Sequence, residues 1–445
     1  MQADLARLVR IPSVSRPGSD PAHLRAAAAA SAEILAQAGC VDVRYLEIDD
    51  APPAVFATCN VVAPGPSVLL YAHYDVQPPG PSELWAALPF EPTLRDGRLY
   101  GRGAADDKAG IITHAEAIRA FGGQPPGRVR VLLEGEEETG SPHLGRFLKR
   151  FGAELRSDVI VLADNPNWRL GVPTLTTSLR GLVECLVELR VLHHAVHSGE
   201  YGGPVIDAVT SLARLLASLH NDDGTPAVRG LLSADDPPLE MTEDEFRGNA
   251  GVLSGVHLAG AGSMTARLWA RPSIAVLGID APRVSEASNQ LVASARALIS
   301  VRVAPTDQPA RALRVLGEHL RSHAPWGAEL RLTEGHQTMG PGVRIEARGP
   351  AFDAARQALA KAWGADVVEA GGGGSIPIVT ELAAAFPDAS LLLTGAADPA
   401  SQLHAENESV DLVELRRATL AEALLLQSLA ESGLNSRLGV AGAET

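Results

Sequence analysis

The sequence predicts an α/β protein: a mostly parallel sheet flanked by helices, interrupted by a smaller α+β insert. Three observations carry this prediction. Apolar runs of strand length alternate with helical patterns from the N-terminus to about residue 180, as crossover connections between parallel strands require. From Leu182 the strands change to alternating apolar and polar positions, the texture of a sheet with one solvated face. Beyond about residue 337 the first pattern resumes, so the first domain is interrupted by the second. The 445 residues are enough for two or three domains.

In chain order, residues 22–39 are Ala-rich with Leu24, Ile34 and Leu35 at helical spacing, and Ser67 to Ala72 is a short apolar strand. Residues 107–121 fit a helix, with Ile111, Ile112, Ala115 and Ile118 on one buried face. Strands Val129 to Leu133 and Val159 to Ala163 follow, completing a βαβ unit. The alternating segment Val183 to Leu189, the helix Ile206 to Leu219, strands Ser273 to Leu277 and Ala297 to Val303, the helix Pro309 to His323 and the strand Ala328 to Leu332 make a βαββαβ insert. Residues 221–265 are loop-rich and read as an extra hairpin or arm, with Met264 and Trp269 as packing residues. Helix Phe352 to Trp363, strand Ser390 to Leu393 and helix Leu412 to Leu429 return to the first pattern, and a loose tail is expected from Gly433.

Composition excludes several classes. The 38 Lys and Arg against 53 Asp and Glu give a formal net charge of −15, a field that repels phosphate backbones and anionic membranes, so neither nucleic acid nor a membrane is an expected partner. Cys40, Cys59 and Cys185 are too few and too scattered for a disulfide framework or a thiolate zinc site. The N-terminus lacks a basic segment followed by an apolar one, and a cytoplasmic location is expected.

Ligands of a parallel α/β sheet bind beyond the carboxyl ends of its strands. Here those positions are acidic or His: His73 and Asp75 follow one strand, Glu134 and Glu136 to Glu138 the next, Asp164 a third, and a loop ending at His404 a fourth. A lone His or Asp after a strand is usually a cap or a turn residue, whereas four strand ends converging on one chemistry are not explained that way. Three adjacent carboxylates in a dry cleft repel one another unless a cation sits among them. Ligands of this kind without Cys suit Zn, Mn or Co, and a closely spaced pair of ions needs a bridging carboxylate.

Tyr71-Ala72-His73-Tyr74-Asp75-Val76-Gln77-Pro78, Tyr100-Gly101-Arg102-Gly103-Ala104-Ala105-Asp106-Asp107-Lys108 and Glu134-Gly135-Glu136-Glu137-Glu138-Thr139-Gly140-Ser141 resemble the metal motifs of the M20 metallopeptidases, in particular their carnosinase-type dipeptidases. Asp164, Gly374-Ser375-Ile376-Pro377 and His404 fall where later motifs of that family stand, so the likeness spans nearly the whole chain. It implies a zinc-peptidase-like catalytic domain in residues 1–181 and 337–432, a lid and dimerisation domain in 182–336, and a tail in 433–445. It further implies two divalent ions per chain, Zn foremost, with His73 and Glu138 as terminal ligands, Asp106 bridging, and Asp164 and His404 holding the second ion. Glu137 would be the general base toward a metal-bridging water, Asp75 would orient His73, and the Asp106–Asp107 peptide would be cis.

In the insert, the resemblance makes His197, in His197-Ser198-Gly199, an oxyanion-stabilising residue that reaches a partner subunit's site, so a homodimer through the lid is implied. Arg302 would pair with a substrate carboxylate, and Ser375, Gly374 and Asn289 would complete substrate binding. Ala195 replaces a usual acidic residue before the His197 element, and Asn289 lacks the usual following Pro, which bears on specificity. The implied activity is hydrolysis of the amide bond of a dipeptide or a small N-acyl amino acid. Asp rather than Glu at 164 favours dipeptides over the alternative, an N-acyl-amino-acid deacylase or carbamoyl-amino-acid amidohydrolase. A catalytically silent small-ligand binding protein is the alternative of another class.

Overall fold

The computed structural model describes residues 1–61, 65–334 and 339–432; the expected tail from Gly433 and the expected boundary at residues 336 and 337 lie outside them. Two compact units result. The first takes residues 1–177, 345–370 and those from Pro377 on; the second takes Ser178–Arg344 together with Gly371–Ile376.

The first unit is built on a mixed sheet whose strands lie in the order Asp42–Leu46, Ala54–Thr58, Arg128–Glu134, Ser67–His73, Val159–Leu162, Ser390–Leu393 and Thr174–Leu179. Its centre is parallel, from Arg128–Glu134 through Ser390–Leu393, and its flanks are antiparallel. Ser67–His73 is buried at every position, which is why it reads as a continuous apolar run. Helices cover the faces. Pro21–Ala38 starts at Asp20, whose side chain accepts from Ala22 N, and stops at Gly39 in the left-handed region (φ 104°). Lys108–Ala120 starts at Asp107, whose carboxylate accepts from Gly110 N. Buried within the first unit, Lys108 Nζ donates to the carbonyls of Leu8 and Ile11, each at 2.9 Å. A small second sheet sets Arg98–Tyr100 between Thr93–Arg95 and Ser409–Asp411, bringing the end of the His404 loop beside the start of the Asp106 loop.

The second unit is a four-stranded antiparallel sheet in the order Ser273–Asp280, Ser294–Val303, Gly181–Arg190, Glu329–Glu334. Helices Ala208–Ala217 and Pro309–Ser322 complete the βαββαβ order. Val183, Cys185, Val187 and Leu189 alternate into the core beneath them, so the period of two in the sequence marks one buried face. Residues 221–265 carry the short helix Glu243–Ala250 rather than a hairpin. Trp269 is buried, and a Cβ on Gly371 would come within 2.7 Å of its ring; Met264 is half-buried. The three cysteines are buried and outside any disulfide. Among the described residues no helix is long and apolar enough to cross a membrane.

Candidate metal centre

Four strand ends of the first unit deliver the acidic and imidazole side chains to one place. His73, the last residue of its strand, is fully buried; its Nε2 lies 3.0 Å from Asp106 Oδ1, 3.7 Å from Asp164 Oδ1 and 3.9 Å from Glu137 Oε2. His404 Nε2 lies 3.0 Å from Asp106 Oδ2 and 3.1 Å from Glu138 Oε2. Two groups therefore form, His73 with Glu137 and Asp164, and Asp106 with Glu138 and His404, each with its potential ligand atoms within 4.8 Å of one another. Asp106 turns one oxygen toward each histidine, the placement of a bridge. The distances pair His73 with Asp164 and Glu138 with His404, which corrects the pairing of His73 with Glu138 drawn from the resemblance. The Asp106–Asp107 peptide is cis.

The adjacent carboxylates are sorted by a single 3-10 turn, Glu137–Thr139, closed by Gly140 at φ 82°. Glu137 faces the first group and Glu138 the second. Glu136 does not join them: its carboxylate accepts from His143 N and sits 2.8 Å from His143 Nδ1. Repulsion among three neighbouring glutamates is thus smaller than the sequence implied. Asp75 touches more than His73. Nδ1 of that imidazole is 3.1 Å from the Asp75 carbonyl and 3.4 Å from its Oδ1, while the same carboxylate accepts from the amides of Glu137 (3.2 Å) and Glu138 (3.1 Å). It pins the turn that presents both glutamates.

Three contributors escaped the sequence reading. Gln77 donates to Glu138 twice through its side chain, at 3.0 Å to the carbonyl and 2.8 Å to Oε2, and its amide reaches Oε1 at 3.1 Å. Its place four residues after His73 in the same motif was the available signal. Arg102 and Glu408, both buried, link the loops of Asp106 and His404. Their separation in sequence left no local signal.

The electrostatics are those of a site with surplus negative charge. Burial raises Glu137 well above the ordinary carboxyl range, Asp164 adding to it against the pull of His73. Burial and then Asp106 push Glu138 up to about 7, and burial likewise raises Asp164. Asp106 is the exception: burial would raise it, but hydrogen bonds from His404 and His73 hold it low. The imidazoles answer in kind, since burial disfavours their charge yet the carboxylates outweigh it, raising His73 and bringing His404 to about 11. Two imidazole nitrogens and four carboxylates without sulfur fit a pair of divalent cations.

The sequence profile of peptidase family M20/M25/M40 matches residues 69–428. The chain belongs to this family. Among its M20 relatives is a cysteinylglycine-S-conjugate dipeptidase of Corynebacterium striatum, 35% identical over 422 residues, covering 93% of this chain and 91% of the relative. A Beta-Ala-His dipeptidase of Rattus norvegicus is 29% identical over 385 residues, covering 81% and 76%. The fold matches that of the di-peptidase Dug1p from Saccharomyces cerevisiae, with TM-score 0.84 at 23% identity over 96% of this chain and 95% of the other. Human carnosine dipeptidase 1 gives a TM-score of 0.80 at 23% identity with the same coverage.

The remaining residues that the M20 motifs singled out lie in the second unit. His197 pairs in a two-residue ladder, Val196–His197 with Gln290–Leu291, and its exposed imidazole accepts from Gly199 N at 3.1 Å. Asn289 is exposed beside it, its carbonyl accepting from Ser198 N. Arg302 is half-buried on the central strand of the sheet, opposite Leu182 and Ser273; burial lowers its pKa and Glu184 opposes that. Ser375 Oγ stands against Gly340, where a Cβ would be only 2.6 Å away, and Gly374 is open. Arg180 holds this loop through Nε to the Gly373 carbonyl, at 3.1 Å.

Proposed function

We propose that this M20 peptidase is a dipeptidase, hydrolysing the amide bond of dipeptides with two divalent ions, zinc foremost with Mn or Co as alternatives. The observation that supports it best is the pair of groups joined through the two oxygens of Asp106. His73 and Asp164 would hold one ion, Glu138 and His404 the other, with Asp106 shared. A divalent pair held there would supply polarisation of a carbonyl and acidification of water. Glu137, buried and raised in pKa, takes the proton from the attacking water and returns it to the leaving amine. Asp75 fixes the turn that carries it.

From the second unit, Arg302 pairs with the substrate carboxylate, a bidentate task suited to a guanidinium. Ser375, Gly374 and Asn289 line the substrate, and His197 of the partner subunit stabilises the tetrahedral oxyanion. A homodimer through this unit is in keeping with its edge strand Ser273–Asp280, which exposes Val276, Leu277 and Ile279. Three cysteines without a disulfide fit a reducing, cytoplasmic compartment.

The test is metal content by mass spectrometry for the wild type and Glu137→Ala, with a ninhydrin assay on dipeptides and an acetylated amino-acid panel. Two ions in both proteins, with kcat lower by about 10²- to 10⁴-fold in the variant, is the expected result. Faster turnover of acetylated amino acids than of dipeptides would replace the dipeptidase reading by that of a deacylase.

A further inference from the structure

Glu408 is completely buried, and its carboxylate accepts four hydrogen bonds that all come from the segment carrying the shared ligand. Oε1 accepts from the amides of Ala105 (2.9 Å) and Asp106 (3.0 Å); Oε2 accepts from Gly103 N (2.8 Å) and Arg102 Nη1 (2.7 Å). The Gly-Arg-Gly sequence makes this possible. Gly101 at φ 153° and Gly103 at φ 80° turn the chain in a conformation where a Cβ would come within 2.4 Å of Val9 or Val76. The resulting concavity of amides is of the kind that binds anions, and Glu408 fills it from within the same chain.

Arg102 carries the link onward. It is buried over the Trp85 ring, and its Nη2 donates to the carbonyls of His404 (3.0 Å) and Ala405 (3.1 Å). His404 needs such support because its own backbone is left-handed at φ 62° and its side chain is 57% exposed, so packing does not fix it. Gly101 N also donates to the Glu408 carbonyl at 2.9 Å. The two ligands that face each other across the second group, Asp106 and His404, are therefore anchored to opposite ends of one buried ion pair.

We propose that Glu408 and Arg102 are positioning residues that set the spacing of Asp106 and His404, and thereby the affinity of the Asp106–Glu138–His404 group for its cation relative to the His73 group. This rests on the two-cation reading above. Neither residue touches substrate; each acts through the ligand loops. A Glu408→Gln change places an NH2 against one of the two donor pairs, so the amides of the Asp106 segment lose an acceptor.

The experiment is calorimetric titration of Zn²⁺ into metal-stripped full-length protein, comparing the wild type with Glu408→Gln, Arg102→Gln and His404→Ala, with thermal unfolding of each stripped protein alongside. His404→Ala identifies which of two binding events belongs to its group. The expected result is that Glu408→Gln and Arg102→Gln weaken that same event about 10- to 100-fold, the range for residues that orient ligands, and leave the other within about twofold. Arg102→Gln keeps the three amide bonds to Glu408, so it reports even where Glu408→Gln does not fold. Unchanged affinities in folded variants, or equal weakening of both events with a lowered thermal midpoint, overturn the positioning role. A wild type that binds fewer than two ions overturns the two-cation reading itself and the proposal with it.

Discussion

His73 and His197 sit in opposite environments. His73 is fully buried, with Asp75 and Asp106 at its two ring nitrogens. His197 is exposed, and its Nδ1 accepts from the amide of Gly199 two residues on. The same contrast separates His73 and Asp106 of the first unit from His197, Asn289 and Gly374 of the second, which are exposed; His404, 57% exposed, departs from it and is held instead through its backbone by Arg102. Side chains that hold cations must be fixed before the cation arrives, because each misplaced carboxylate costs affinity. Groups that meet substrate or a partner subunit gain their contacts only when that partner comes.

The contrast is broken most severely at Asp106, whose two oxygens serve both groups. Asp106→Ala should lose both ions and leave turnover no higher than in chelator-treated wild type; retention of two ions by elemental analysis would remove its bridging role. His197→Ala should keep both ions and lose about 10²-fold in kcat, the scale of one oxyanion donor. Its action in trans is read by mixing: Glu137→Ala and His197→Ala, each nearly inactive, should recover about a quarter of wild-type activity after subunit exchange, since half the dimers then carry one complete site. No recovery, with exchange verified by native mass spectrometry, would place His197 in the site of its own chain.

The smallest effect tests how far the ordered side of the contrast reaches. His114 is buried behind the His73 strand, its Nδ1 2.8 Å from Glu422 and its Nε2 2.9 Å from the Tyr71 carbonyl. Burial disfavours its charge, but Glu422 outweighs that and raises its pKa. A pKa raised on folding contributes stability that is full below the unfolded value near ~6.5 and fades as pH climbs through the folded value. His114→Gln should therefore lower the thermal midpoint by a few °C at about pH 6 and by less at about pH 9. An equal loss at both would mean packing alone.

Much of this was legible in the sequence, for identifiable reasons. Fully buried strands such as Ser67–His73 announce themselves by unbroken apolar runs, and the residue after each run is where a parallel sheet places its chemistry. The edge hairpin of Asp42–Leu46 and Ala54–Thr58 was missed because both strands are only five residues long: Asp42–Leu46 is mostly exposed and alternates only at Val43 and Tyr45, and Ala54–Thr58 is a brief apolar run. The amphipathic helix Leu144–Leu155 was missed as well; its buried residues, Leu144, Phe147 and Leu155, are sparse. Glu136 was grouped with its neighbours because a sequence does not show which way a 3-10 turn throws consecutive side chains; His143 claims it. Arg102 and Glu408 were silent for a different reason. A Gly-Arg-Gly segment shows that amides will be presented but not what will occupy them, and the occupant arrives from the far end of the chain.

The single turn that separates Glu137 from Glu138 has an evolutionary consequence. One peptide bond divides the residue proposed to move protons from the residue proposed to grip a cation, and one pair of amide contacts to Asp75 holds both. Loops elsewhere in the chain can lengthen or shrink by small steps and be tolerated. Here an insertion of one residue ahead of the pair would move Glu137 to the post of Glu138 and carry Glu138 past it, and a deletion would do the reverse. The turn is a fixed gauge, and its length is set together with the contacts of Asp75 and Gln77 that hold it.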